Sequence, residues 1–191
     1  MVRCASCVNR QAPAALVLDR NPLFGLEFPN DRGPPGGRTM PWKILKQGEP
    51  SIVTKANDKL RGAAFHEAGH VVVAREFGLP VGEIAIDIDG GGHQTGRTDI
   101  GSAHHLPVTD QIALCVAGIV SQSLFTWQTH RFAGASDYAR VFKLVEGLTD
   151  AESLKLRHAG YVRARKILEK HAAEVEYLAK RLIAHKRVTL G

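Results

Sequence analysis

Hydrophobic residues recur at intervals of three or four over most of the chain beyond position 55, the spacing of helices with one buried face. The first predicted helix runs from Asn57 to Phe77. Asn57 or Asp58 can serve as its N-cap, and Gly78 with Pro80 marks its end. The apolar residues in its second half indicate that this helix enters the core of the protein.

Three later segments show the same helical spacing. A second predicted helix runs from Val108 to Trp127, and a third runs from an N-cap at Ser136 to Leu148. Segment 150–185 is interpreted as one long helix or as two helices in series. The apolar positions predicted to be buried on these helices are Val108, Ile112, Cys115, Val116, Ile119, Val120 and Leu124, then Tyr138, Val141, Phe142 and Val145, then Leu154, Tyr161, Ala164, Ile167, Leu168, Val175, Leu178, Ala179, Leu182 and Ile183.

Between the first two helices the pattern changes to strict alternation, which is typical of a strand. Ile84, Ile86 and Ile88 alternate with smaller or polar residues, a glycine turn follows at 90–92, and 94–99 can return as the partner strand. The predicted fold class is therefore mainly α (α+β), with a small β-hairpin or edge sheet beside the first helix. Such an edge either receives an extended peptide by strand addition or is a plain structural hairpin.

The first part of the chain lacks a sustained period and is rich in proline and glycine. Residues 1–54 are therefore expected to form an irregular or disordered extension, and residues 55–191 a single domain. The sequence becomes more regular at Met40, which prompts the hypothesis that translation starts there.

Composition narrows the classes of function. The 191 residues are 44% hydrophobic and 23% charged, with a net charge of +6 spread along amphipathic helices, so no nucleic-acid partner is expected. No apolar run approaches the roughly 20 residues of a membrane span. Three cysteines give no disulfide framework, and the lone Cys4-x-x-Cys7 pair lacks the partners of a zinc ribbon. A cytoplasmic location is expected.

The candidate chemistry lies in the first helix, where residues 66–70 read HEAGH. His66 and His70 are four apart, so both imidazoles project from one face and can bind the same zinc ion. Glu67 is offset by about 100° around the helix, close to the open coordination position, where it can accept a proton from water. Gly69 between the ligands indicates close approach of another backbone or of a substrate.

A catalytic zinc ion needs a third protein ligand. Asp137 follows Gly134, Ala135 and Ser136 and falls in the first turn of the third helix. A carboxylate there is favoured by the helix dipole alone, which is one interpretation. The other is that Asp137 is the third zinc ligand.

The region from residue 55 onward resembles the peptidase domain of FtsH-type zinc metalloproteases, the ATP-dependent membrane proteases. Three stretches carry the resemblance: AFHEAGHVVVA around the HEAGH helix, GASDYARV around Asp137, and ARKILEKHAAEVEYLAKRLIAHKRVTLG at the C-terminus. The resemblance implies His66, His70 and Asp137 as zinc ligands and Glu67 as the catalytic base.

The chain departs from the family pattern at two places. The family has Asn then Asp after the serine, whereas this chain has Asp137 then Tyr138. In the second helix the family has a carboxylate pair after its Ala-Gly segment, whereas this chain has Ser121, Gln122 and Ser123, so a glutamate that supports the site in the family is missing. If the third ligand has moved, the remaining candidates are His93, Asp99, His104 and His105.

The sequence contains no G-x-x-x-x-G-K-[ST] loop, so the expected activity does not depend on an ATPase of its own. The leading prediction is a zinc-dependent metallopeptidase that hydrolyses peptides or unfolded protein segments. The alternative is a non-catalytic, zinc-stabilised protein-interaction module derived from such a peptidase.

Overall fold

The structure, a computed structural model, describes residues 2–6, 52–88, 94–126 and 134–190. Within these ranges the fold is mainly helical with a small antiparallel sheet, which confirms the predicted class. The elements in chain order are β1 (Val2–Ser6), α1 (Ile52–Glu76), β2 (Val81–Ile88), β3 (Gln94–Ile100), α2 (Val108–Phe125), α3 (Ala135–Leu144), α4 (Asp150–Lys170), α5 (Ala172–His185) and β4 (Arg187–Thr189).

The predicted hairpin is formed by β2 and β3 and lies at the centre of a sheet ordered β1-β3-β2-β4. Strand β4 pairs with β2, and β1 pairs with β3 with Val2 opposite Ile100 and Ser6 opposite Gly96. The predicted irregular extension thus contains a strand; its residues 7–51, with Met40, lie outside the described parts. Because β3 has a neighbour on each side, a peptide that joined it directly would have to displace β1 or β2.

Helix α1 begins five residues earlier than predicted, so the assignment of Asn57 or Asp58 as N-cap was wrong. Both residues lie within the helix, because a capping preference of about 1 kcal/mol does not decide a boundary when the flanking residues also accept helical geometry. The predicted end is confirmed. Gly78 has φ 69°, and the amide of Leu79 donates to the carbonyl of Ala74, as in a Schellman motif.

Helices α1 and α2 pack closely at Gly69, where the sequence indicated the approach of another backbone or of a substrate. A Cβ atom at Gly69 would lie 2.5 Å from the Cβ of Ser121 and 2.6 Å from the carbonyl oxygen of Ala117. The predicted apolar stripe of α2 is correct at Ile112, Val116 and Val120, which are buried. It was wrong at Val108, which is 38% exposed. The buried face of α2 also includes small and polar residues that the apolar pattern did not indicate: Ala113, Ala117, Gly118, Ser121 and Gln122.

Helix α3 is shorter than predicted at its C-terminal end and starts one residue before the predicted cap. Its N-cap is Gly134, with φ 91°, so the assignment of Ser136 as N-cap was wrong. A glycine adopts this left-handed conformation without strain, which lets the chain turn sharply into the helix. Leu148 lies beyond the helix, and Phe142, predicted to be buried, is 50% exposed.

The C-terminal region forms two helices in series, one of the two arrangements left open by its sequence. Helix α4 ends at Lys170, and its start is fixed by a capping box in which Thr149 and Glu152 exchange hydrogen bonds. Helix α4 packs on α2, and α5 packs on α1. Most predicted core positions here are buried, but Leu154 is 37% exposed, because it lies in the first turns of α4.

Helix α2 is also long and apolar enough to cross a membrane, with a mean hydropathy of 1.4 over 18 residues. Half of this window is buried inside the molecule, and the core helix of a soluble protein passes the same test. The absence of a membrane span therefore stays a prediction.

Candidate metal centre

Three buried side chains from two helices meet at one point. His66 and His70 project from α1, and Asp137 projects from the first turn of α3. Nε2 of His66 lies 3.1 Å from Nε2 of His70, and Oδ2 of Asp137 lies 3.2 Å from the first nitrogen and 3.4 Å from the second. The structure therefore brings together the three residues predicted as ligands, and Asp137 reaches the histidines despite its different position in the motif.

The hydrogen bonds on the far side of each ring determine which nitrogen carries a proton. Nδ1–H of His70 donates to the backbone carbonyl of Leu114 at 2.9 Å, and that oxygen can only accept. Nδ1 of His66 faces Oε1 of Gln122 at 3.4 Å. In both neutral rings Nε2 is then the unprotonated nitrogen, and its lone pair points toward Asp137.

This arrangement can hold a metal ion. Two imidazole lone pairs and one carboxylate oxygen converge, and three acceptors at this separation repel each other unless a cation or a proton lies between them. Ligand atoms about 2.0–2.1 Å from a tetrahedral zinc ion lie about 3.3 Å from one another. The three observed separations of 3.1, 3.2 and 3.4 Å fit that requirement.

The electrostatics of the cluster show the same demand for positive charge. Burial opposes the charged form of His70, but the charge and hydrogen bond of Asp137 outweigh it, and the pKa of His70 is raised above its ordinary value. Burial likewise opposes ionisation of Asp137, yet the two histidines hold the pKa of Asp137 well below its usual range. Asp137 is thus an anion at neutral pH, the form that binds a metal.

Glu67 lies beside this cluster, and strand β3 holds it there. Its side chain is buried, and Oγ1 of Thr98 donates a hydrogen bond of 2.6 Å to Oε2. The other oxygen, Oε1, faces the backbone of Gly96, where any Cβ atom would collide with the carboxylate. Strand β3 therefore passes directly over Glu67, and a glycine at position 96 is what makes the approach possible.

Two other glycines shape the positions of the ligands. A Cβ atom at Gly118 on α2 would lie 2.5 Å from Cε1 and Nε2 of His66, so the imidazole rests directly on the backbone of α2. A Cβ atom at Gly134 would lie 2.6 Å from the side chain of Ile119 and 3.4 Å from Oδ2 of Asp137. The tight turn at Gly134 thus brings the first turn of α3, with its carboxylate, against α2.

A cavity of about 410 Å³ opens beside His70 and Asp137. Much of its wall is apolar, contributed by the end of β3 and by α2 and α3, and its polar lining includes the cations Arg140 and Lys143. This volume suits part of a peptide or another small ligand. Burial, with the charge of Asp137, raises the pKa of the cavity-lining Cys115 to about 12, so this thiol remains protonated near neutral pH.

The remaining candidate ligands do not join the cluster among the described residues. Asp99 lies on β3 and forms an ion pair with Arg97, with 3.7 Å between Oδ1 and Nε. His104 lines the cavity, and His105 beside it is exposed. His93 lies outside the described residues, as do the side chains of Cys4 and Cys7.

Sequence reasoning missed several residues that build the site. Gly96 lies inside a strand, and a glycine there signals close approach of another group. Thr98 gave no local signal, and Gln122 stood out only as a departure from the family pattern, because their roles depend on β3 and α2 lying against α1. No protein-family model matches the sequence, and a search of curated proteins finds no match to it.

Proposed function

We propose that this protein is a zinc-dependent metallopeptidase that hydrolyses peptides or unfolded protein segments, with residues 55–191 as an FtsH-like peptidase domain. The observation that carries the proposal is the triangle of His66, His70 and Asp137, whose dimensions suit tetrahedral zinc, with the carboxylate of Glu67 directly beside it. Two histidines and one carboxylate form a ligand set typical of a catalytic zinc site, which keeps one position open for water or substrate.

A bound zinc ion would act as a Lewis acid, polarising the scissile carbonyl and lowering the pKa of water. Glu67 is the proposed general base: it accepts a proton from the attacking water and delivers it to the nitrogen of the departing amine. Thr98 donates to Oε2 of Glu67 and so fixes the orientation of the carboxylate that transfers the proton. Asp137 supplies the negative charge that retains the metal.

The cavity beside the cluster supports a substrate with an extended, accessible chain. It is bounded by Ile100 and Gly101 at the end of β3, so a chain that crosses His70 continues along the sheet. In the described residues β1 occupies the outer edge of β3, and the substrate either displaces it or uses the cavity alone. A folded protein would not fit into a space of this size.

The alternative is a non-catalytic, zinc-stabilised interaction module. Structural zinc sites almost always have four protein ligands, whereas the group found among the described residues has three. Glu67 is also hard to explain in a purely structural site, because burying a carboxylate costs free energy and such a site does not need a base. These two observations favour the peptidase.

The test compares zinc content and casein cleavage in the same samples. Glu67→Gln is expected to retain one zinc per chain and to lose about 10²–10⁴-fold in cleavage rate, since it removes the base and preserves the shape. Asp137→Asn is expected to lose both zinc and cleavage. Asp110→Asn is the matched control: it removes a carboxylate paired with Arg163 at the start of α2 and should change neither.

Two results would contradict the proposal. Cleavage by Glu67→Gln at the wild-type rate would remove Glu67 from the chemistry. A wild-type protein that holds zinc but cleaves neither casein nor unstructured peptides would instead support the interaction module.

A further inference from the structure

Gln122 connects one metal ligand to the backbone of its own helix. This side chain lies on α2, is 2% exposed and contacts α1 at Gly62 and His66. Its Nε2 donates to the carbonyl of Gly62 at 3.0 Å, and its Oε1 faces Nδ1 of His66 at 3.4 Å. Gly62 lies one helical turn before His66, so the amide bridges two successive turns.

The amide has only one favourable orientation. The carbonyl of Gly62 can only accept a hydrogen bond, so the NH₂ group of Gln122 must face it. The oxygen of Gln122 then faces His66, which places the proton of the neutral imidazole on Nδ1. Reversing the amide would place two acceptors opposite each other at Gly62. The bridge therefore leaves Nε2 of His66 as the free lone pair, pointing at His70 and Asp137.

We propose that Gln122 is a positioning residue that sets the tautomer and ring orientation of His66 for metal binding. The inference rests on the metal-binding part of the proposed function and is independent of peptide cleavage. Partners of this kind, one shell outside the ligands, typically change metal affinity about 10–100-fold when removed. A glutamine suits this position because it both accepts from His66 and donates to Gly62, whereas a carboxylate could only accept.

The experiment measures zinc affinity by competition with a chromophoric chelator, without any peptide substrate. Gln122→Met keeps the length and apolar volume but removes both hydrogen bonds, and is expected to bind zinc about 10–100-fold more weakly. Gln122→Glu restores the acceptor for His66 but not the donor to Gly62. It is expected to recover at least about tenfold of the lost affinity.

Ser121→Ala is the matched control. Ser121 is also buried on α2, and its Oγ donates to a carbonyl of α1, that of Phe65, at 2.6 Å. Since Phe65 is not a ligand, this variant should lower the thermal midpoint and leave zinc affinity at the wild-type value. Far-UV circular dichroism shows whether each variant is folded.

A direct readout needs no substitution. Nitrogen-15 NMR of the zinc-loaded wild-type protein should show that Nδ1 of His66 carries a proton and that Nε2 binds the metal. The proposal is overturned if Nδ1 is the coordinating atom, if folded Gln122→Met binds zinc as tightly as wild type, or if Ser121→Ala weakens binding equally. A protein that binds zinc as expected but cleaves nothing would refute only the peptidase.

Discussion

Helix α1 contributes to two regions that are stabilised in different ways. On the metal side, where α2, α3 and β3 meet it, buried polar side chains form hydrogen bonds between elements, such as Thr98 with Glu67 and Ser121 with the carbonyl of Phe65. On the C-terminal side, α5 covers α1 with aliphatic residues, and its polar contacts are exposed ion pairs such as Arg75 with Glu174. The metal side should be sensitive to hydrogen-bonding pattern and added volume, and the C-terminal side to lost volume.

The largest expected effect on stability comes from the C-terminal side. Leu178 on α5 is 2% exposed, and Leu178→Ala removes three carbon atoms from a buried, aliphatic part of the core. We expect a loss of about 2–5 kcal/mol in the free energy of unfolding, measured by urea denaturation. The zinc affinity of the molecules that remain folded should not change.

Tyr177 is the control for this substitution. It precedes Leu178 on the same helix but is 59% exposed, and its ring contacts Arg181. Tyr177→Ala should cost less than about 1 kcal/mol. Equal losses at the two positions would show that α5 is not packed as the structure has it.

Two glycines sharpen the comparison, because Gly118 lies against His66 on the metal side and Gly160 lies on α4 against an aliphatic residue. A Cβ atom at Gly118 would overlap the ring of His66, and one at Gly160 on α4 would overlap the side chain of Ile112. Gly118→Ala and Gly160→Ala should each destabilise the protein by about 1–3 kcal/mol through overpacking. Both changes gain some helix propensity, which offsets part of this cost.

Zinc affinity separates the two substitutions. Gly118→Ala displaces a ligand ring and should weaken zinc binding at least about tenfold, since ligand geometry sets affinity. Gly160→Ala displaces an aliphatic side chain away from the ligands and should bind zinc as wild type does. Isothermal titration at 25 °C measures both, and equal affinities would contradict the close contact between His66 and α2.

The sequence predicted the helices of both regions, because their apolar spacing is a local property. The hairpin of β2 and β3 was equally predictable, from the alternation of apolar and polar residues around Ile84 and Ile86. The predicted starts of α1 and α3 were wrong, because several local preferences compete at a helix end. Asn57 and Ser136 are residue types that favour the N-cap, but α1 continues through Asn57, and Gly134 in a left-handed conformation is the N-cap of α3. Pairing of β1 and β4 with the hairpin could not be predicted, since it depends on contacts distant in sequence.

The candidate site was predictable only in part, for a related reason. His66, Glu67 and His70 follow from helical spacing, whereas Asp137 was one of several candidates for the third ligand and was implied by the resemblance. The residues that orient them, Thr98 and Gln122, lie 31 and 56 positions from their partners along the chain. Their roles arise only from the packing of β3 and α2 on α1, and no local pattern encodes that packing.

The smallest of these effects is the pH dependence of zinc binding, which again distinguishes the regions. The pKa of His70 is raised above 6.5, with Asp137 outweighing the effect of burial, so below that raised pKa zinc must displace a proton. Affinity should fall about tenfold per pH unit there and level off above it.

In metal-free protein the effect of pH on stability has the opposite sign. The proton on His70 stabilises the fold below pH 6.5, and this contribution is lost as pH rises through the raised pKa. His171→Gln on the C-terminal side, which removes a contact with Glu76, should change neither profile. Zinc titrations and chelator-treated melting curves between pH 5.5 and 8.5 measure both, on the range in which histidines titrate. A zinc affinity independent of pH across that range would exclude a raised pKa at His70.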